Sequence, residues 1–190
     1  MKKVWAASAI ALVAALSANT YAAVKIDGMP VMQTAPANGV PLLINGAGTV
    51  TMGGKRMAAA VYLPQNTTSA SNIMTMPGAK SIRLTALSDM PGADVAKALD
   101  AGVRKGVSAA QYTAFKPAMD AFSKQLNSVK QIAKGQTVEL LFEPSNGVVL
   151  MGPGSHILTG TGNAELYQAL LRMLPGSVLS SPAVQKQNAS

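Results

Sequence analysis

The chain has 190 residues, no cysteine, one histidine and a formal charge of +8. This excludes disulfides, thiolate metal sites, a cysteine nucleophile, and any triad or metal site that needs several histidines. The aromatics are too few and the basic residues too scattered for a nucleic-acid surface.

Met1-Lys2-Lys3 followed by the apolar run at 4–16 has the form of a secretory leader. The run is shorter than the roughly 20 residues that span a bilayer. Thr20-Tyr21-Ala22 sets small residues where a signal peptidase needs them, so cleavage is expected before Ala23. The expected destination is a bacterial periplasm, with no membrane anchor. The expected organisation is a leader at 1–22, one domain at 23–176 and a polar tail at 177–190. Loss of Lys2 and Lys3 lowers the charge from +8 to +6, a mild field suited to anionic ligands or lipid headgroups.

Residues 24–27 read as a first strand. Residues 28–41, rich in proline and glycine, read as extended chain or loop. At 45–64 the sequence is NGAGTVTMGGKRMAAAVYLP. Gly46-Ala47-Gly48 bends one strand, Gly53-Gly54 makes a hairpin turn, and 57–63 is small and apolar without alternation, as in a strand buried on both faces. Residues 71–76 suit a helical turn stopped by Pro77. Residues 80–87 alternate, with Ile82, Leu84 and Ala86 on a dry face and Ser81, Arg83 and Thr85 on a wet one.

A helix is expected from Asp94 through Lys105, with Val95, Leu99 and Val103 in one stripe. A second begins at Ser108, with Gln111 at capping-box spacing. Its seam of Tyr112, Phe115, Met119, Phe122, Leu126 and Val129 repeats at intervals of three and four. Pro117 is expected to kink or break it. A strand pair follows at 136–143 and 147–151, with Glu139 and Glu143 on a solvated face. A last helix starts at the Asn163 cap and runs through Leu174. The order is strands, helices, strands, helix, which indicates α+β.

Candidate chemistry is sparse. His156 stands alone, and the carboxylates lack metal-ligand spacing, so no metal, cofactor or catalytic residue is expected. Gly160-Thr161-Gly162 precedes a helix but is an incomplete phosphate loop.

Several stretches resemble the chalcone isomerase-like family: 45–64, 82–89, 94–122 and the segment Leu166-Tyr167-Gln168-Ala169-Leu170-Leu171-Arg172, the last being similar to the bacterial exported branch. The resemblance implies an open-faced β-sandwich whose antiparallel sheet is covered by helices, with a cleft between them. It also implies the loss of the ring-closing site. Val50 falls where that family carries an arginine, Met57 where it carries a threonine, and Asp94 and Ala101 where it carries a tyrosine and an asparagine. Valine, alanine and methionine cannot hold a phenolate as those groups do. The fatty-acid-binding branch relies on an arginine too, and this chain lacks it.

The leading reading is a non-catalytic, exported binder of a small apolar or amphipathic ligand such as a fatty acid. Its expected site is Val50, Arg56, Met57, Tyr112, Met119 and Phe122. A second reading is an isomerase or intramolecular lyase with a site rebuilt around Arg56 or Tyr112. A third is an accessory protein that meets a membrane surface or a partner protein. The ten methionines after Met1 suit an adaptable apolar interior.

Overall fold

The computed structural model describes residues 23–37, 39–153, 161–182 and 184. The expected leader and His156 lie outside the described residues, as does half of the expected tail.

Among the described residues, eight strands and five helices follow one another. The strands β1 (Ala23–Ile26) and β2 (Met29–Met32) form a separate hairpin. Next come β3 (Thr34–Ala37), β4 (Val40–Met52), β5 (Lys55–Leu63), α1 (Ala70–Thr75) and β6 (Lys80–Ala86). The helices α2 (Gly92–Gly106) and α3 (Ala109–Ser128) precede β7 (Thr137–Glu143) and β8 (Gly147–Met151). Then α4 (Ala164–Arg172) and α5 (Gly176–Leu179) close the fold. Strands β3 to β8 make one six-stranded antiparallel sheet in sequence order. The architecture is α+β, an antiparallel sheet with helices on one face.

Strand β5 explains the centre of the sheet. Every residue from Met57 to Leu63 is buried, as a run without polar positions requires. Met57, Ala59, Val61 and Leu63 face the helices, where they join Val95, Leu99, Val103, Phe115, Met119 and Phe122 in the main core. Ala58, Ala60 and Tyr62 face the other way, into a second core with Val24, Val31, Leu42 and Ile44. At the turn into β5, Gly53 and Gly54 both have positive φ, 56° and 76°, which glycine adopts without strain.

The chain between 28 and 41 is more ordered than its prolines suggest. It holds β2 and β3, because Pro30 and Pro36 sit on a hairpin and an edge strand, where a missing N–H breaks no inner ladder. Pro117 does not break α3, which continues through it. Phe115, Ala118, Met119 and Phe122 are buried on both sides of the proline, and this packing outweighs one lost helical hydrogen bond.

The second face of the sheet is only partly wet, with Arg83 and Thr85 half-buried. Ser81 and Glu139 are buried, and so is Glu143. The β1–β2 hairpin packs over this side, and Glu139 is compensated by Ser81 Oγ, donating at 2.6 Å, and by Arg83 at 3.0 Å. Arg83 in turn lies over the Tyr62 ring at 5.3 Å. The region expected as a polar tail begins with α5, whose Val178 and Leu179 are buried. A Cβ on Gly46 would lie 2.4 Å from the Val178 carbonyl oxygen, so glycine is required for this close approach.

Candidate functional site

A groove of about 300 Å³ lies on the helix side, at the end of β4. Its walls are Thr49, Val50, Thr51 and Met52 of β4, Ala98 and Gly102 of α2, and Met173, Leu174 and Pro175 after α4. The volume is at the lower end of the range for small-molecule sites. Local sequence shapes each wall. Ala98 and Gly102 are four apart and so lie one above the other on α2. A Cβ on Gly102 would meet the Met173 side chain at 3.2 Å, so glycine lets Met173 lie against the helix. Pro175 stops the chain from continuing α4, and the turn it makes forms the end of the groove. None of the nine lining residues ionises. Such a surface can hold hydrocarbon and offer main-chain hydrogen bonds, but it has no acid, base or nucleophile of its own.

The six residues singled out in the sequence do not converge on this groove. Val50 lines it. Met57 pairs with Val50 across the β4–β5 ladder but is fully buried. Met119 and Phe122 are buried in the main core on α3. Arg56 is mostly exposed and bound to Asp27, 2.5 Å from its carboxylate, at the β1–β2 turn. Thr49 also donates to Asp27. The Thr49 hydrogen bond is the chief cause that holds the Asp27 carboxyl below its usual range, against desolvation, with further help from the Arg56 charge.

Tyr112 belongs to a different, polar groove between α2 and α3, with Lys97, Asp100, Arg104, Lys116 and Asp120. Its hydroxyl donates to Asp100 and accepts from Arg104 at 2.8 Å. The Asp100 hydrogen bond is the main cause that raises its pKa. A small cavity of about 70 Å³ lies behind the hairpin, against Tyr62 and Arg83. Burial there pushes the Tyr62 phenol up to about 12. On the helix side, Lys80 is buried beside Phe142 and Tyr167 and donates to the Met74 carbonyl at 3.2 Å. Desolvation lowers its pKa. Among the described residues, no three carboxylates or imidazoles gather where a metal could bind.

Sequence reasoning missed Ala98, Gly102, Met173 and Pro175. The usable signal was the pair of small residues four apart on an otherwise ordinary helix, which marks a close approach or a hollow. Thr49 and Thr51 of the lining were missed as well.

A family model described as chalcone isomerase-like matches residues 23–178. Among solved structures, the chain is similar to a fatty-acid binding protein of Arabidopsis thaliana, with a TM-score of 0.59 and 14% identity over 83% of this chain and 90% of that one. That likeness establishes the shared fold. A search of curated protein sequences finds no match.

Proposed function

The chain belongs to the chalcone isomerase-like family, and from that premise we propose that it is a non-catalytic carrier of a small apolar or amphipathic ligand, a fatty acid or a molecule of similar build. The observation that carries this reading is the make-up of the groove: about 300 Å³ walled by Val50, Met52, Ala98, Met173, Leu174 and Pro175, with no ionisable side chain. Apolar surface of this kind favours hydrocarbon through loss of water contact, about 25 cal/mol for each Å² buried. An isomerase would need a group to stabilise developing charge, and Arg56 and Tyr112 are engaged elsewhere. The fatty-acid binding protein of the same fold adds support.

Export to a periplasm is part of the proposal. The family match begins at residue 23, the place where leader cleavage would leave the chain. No helix of the described residues is long and apolar enough to cross a membrane.

The test is native mass spectrometry of gently purified protein, followed by titration of the stripped protein with a fluorescent fatty acid. The expected result is a co-purifying amphiphile and saturable one-to-one binding. A clean unliganded mass together with no saturable binding overturns the carrier reading.

A further inference from the structure

Strand β4 has two different edges. Its pairing with β3 ends at Leu43, whereas its pairing with β5 runs on to Met52. The two-residue Gly53-Gly54 turn makes Met52 and Lys55 a hydrogen-bonded pair. Bonded pairs then alternate along the ladder, at Val50 and Gly48. The intervening Thr49 and Thr51 therefore turn their main-chain N–H and C=O away from β5. The opposite strand obeys the same alternation: Arg56, across from Thr51, sends its carbonyl oxygen away from β4 to the Leu87 N–H at 3.3 Å.

The C-terminal segment closes part of this outward edge. Ser181 N–H donates to the Asn45 carbonyl at 3.2 Å, and α5 packs on Gly46 and Gly48. At Thr49 and Thr51, nothing among the described residues pairs with the edge, and the groove lies directly against it. The Thr49 side chain leaves on the other face, toward Asp27. These two residues line the groove through their main chain.

We propose that this edge gives the carrier its specificity, and that the groove takes an N-acylated amino acid. The proposal rests on the carrier reading above. An extended amino-acid unit carries its N–H and its C=O or carboxylate oxygen on one side. It meets an outward carbonyl and an outward N–H of the edge as an added strand residue does. The acyl chain then lies over Val50, Met52 and Met173. The free stretch of the edge is bounded by the Ser181–Asn45 hydrogen bond on one side and by the turn at Gly53 on the other. A plain fatty acid offers the outward carbonyls no donor while it displaces water from them, which costs binding free energy.

The test compares N-decanoylglycine with its ester isostere O-decanoylglycolate and with decanoate, by calorimetry on the stripped mature protein. The isostere differs only in replacing the N–H by oxygen. The amide is expected to bind about tenfold tighter than the ester, the size of one net hydrogen bond. In ¹⁵N-resolved spectra the amide proton of the residue it pairs with, Thr49 or Thr51, is expected to move downfield with the amide ligand. Equal affinity for amide and ester overturns this inference and leaves the apolar carrier standing. A preference without movement of either amide overturns it as well. Failure of all three ligands to bind overturns the inference and the carrier reading together.

Discussion

The Asn45 side chain donates to the Leu179 carbonyl oxygen at 2.7 Å, across 134 positions of sequence. Its Oδ1 accepts from the Thr67 N–H at 2.8 Å. One fully buried amide thus joins the bulge in β4, the C-terminal helix and the loop after β5. The same C-terminal segment binds the β4 edge at Asn45 and packs on the face of Gly46 and Gly48. Asn45→Ala is expected to cost about 1–3 kcal/mol, because it strands a buried carbonyl and a buried N–H. Thermal unfolding checks the loss, and hydrogen exchange is expected to quicken first at 176–181. An unchanged melting temperature would show that the amide is not a tie.

Filling the groove separates binding from folding. Ala98→Phe places a ring between α2 and Met173, where Ala98 is only partly buried. The expected outcome is at least a tenfold loss of affinity for a fluorescent fatty acid, with the melting temperature almost unchanged. Full affinity in a folded variant would mean that the ligand lies elsewhere.

Met119 and Phe122 give the converse test. Both are about 1% exposed, within the main core. Met119→Ala is expected to cost about 2–5 kcal/mol of stability and Phe122→Ala about 3–5. Urea titration measures this. Binding per folded molecule is expected to stay the same, which a ligand-wall role for either residue does not allow.

Asp27 makes the hairpin sensitive to acid. Its carboxyl is held below the usual value of 3.8, mainly by the Thr49 hydrogen bond, with Arg56 alongside. A lowered pKa means that the carboxylate's contribution is present above 3.8 and is lost as pH falls through the folded value. Hydrogen exchange of β1 and β2 amides is therefore expected to accelerate below about pH 4 before the sheet does. Asp27→Asn is expected to speed that exchange at neutral pH and to flatten its acid dependence. Identical pH profiles in the two proteins would rule out the carboxylate as the anchor.

Tyr62 sets an alkaline limit. Its phenol is raised from 10.0 to about 12, and its hydroxyl donates to the Met32 carbonyl at 2.7 Å. A raised pKa favours the folded state fully below 10.0. That contribution declines as pH rises toward about 12. Tyr62→Phe is expected to lose stability at neutral pH but to show a shallower decline above pH 10. Equal slopes in guanidinium titrations at pH 9 and 11 would contradict this.

The sequence by itself determined the local elements and the class of fold. The unbroken apolar run of β5, the Gly53-Gly54 turn, the Ser108–Gln111 capping box and the seam of α3 are short-range signals, because strand and helix periods repeat within a few residues. What only the tertiary structure decided was where distant surfaces meet. Glu139 and Ser81 are buried against each other and Arg83, on the side of the sheet where a hairpin from the start of the chain packs on β4 and β5. Arg56 is drawn to Asp27, 29 positions away, and so leaves the site it was assigned to. The groove has the same origin. It exists because α5 packs on β4 at Gly46 and Gly48, α4 ends at Arg172, and, among the described residues, β3 pairs with β4 only as far as Leu43. A hollow is set by where packing stops, which depends on contacts between segments far apart in the chain.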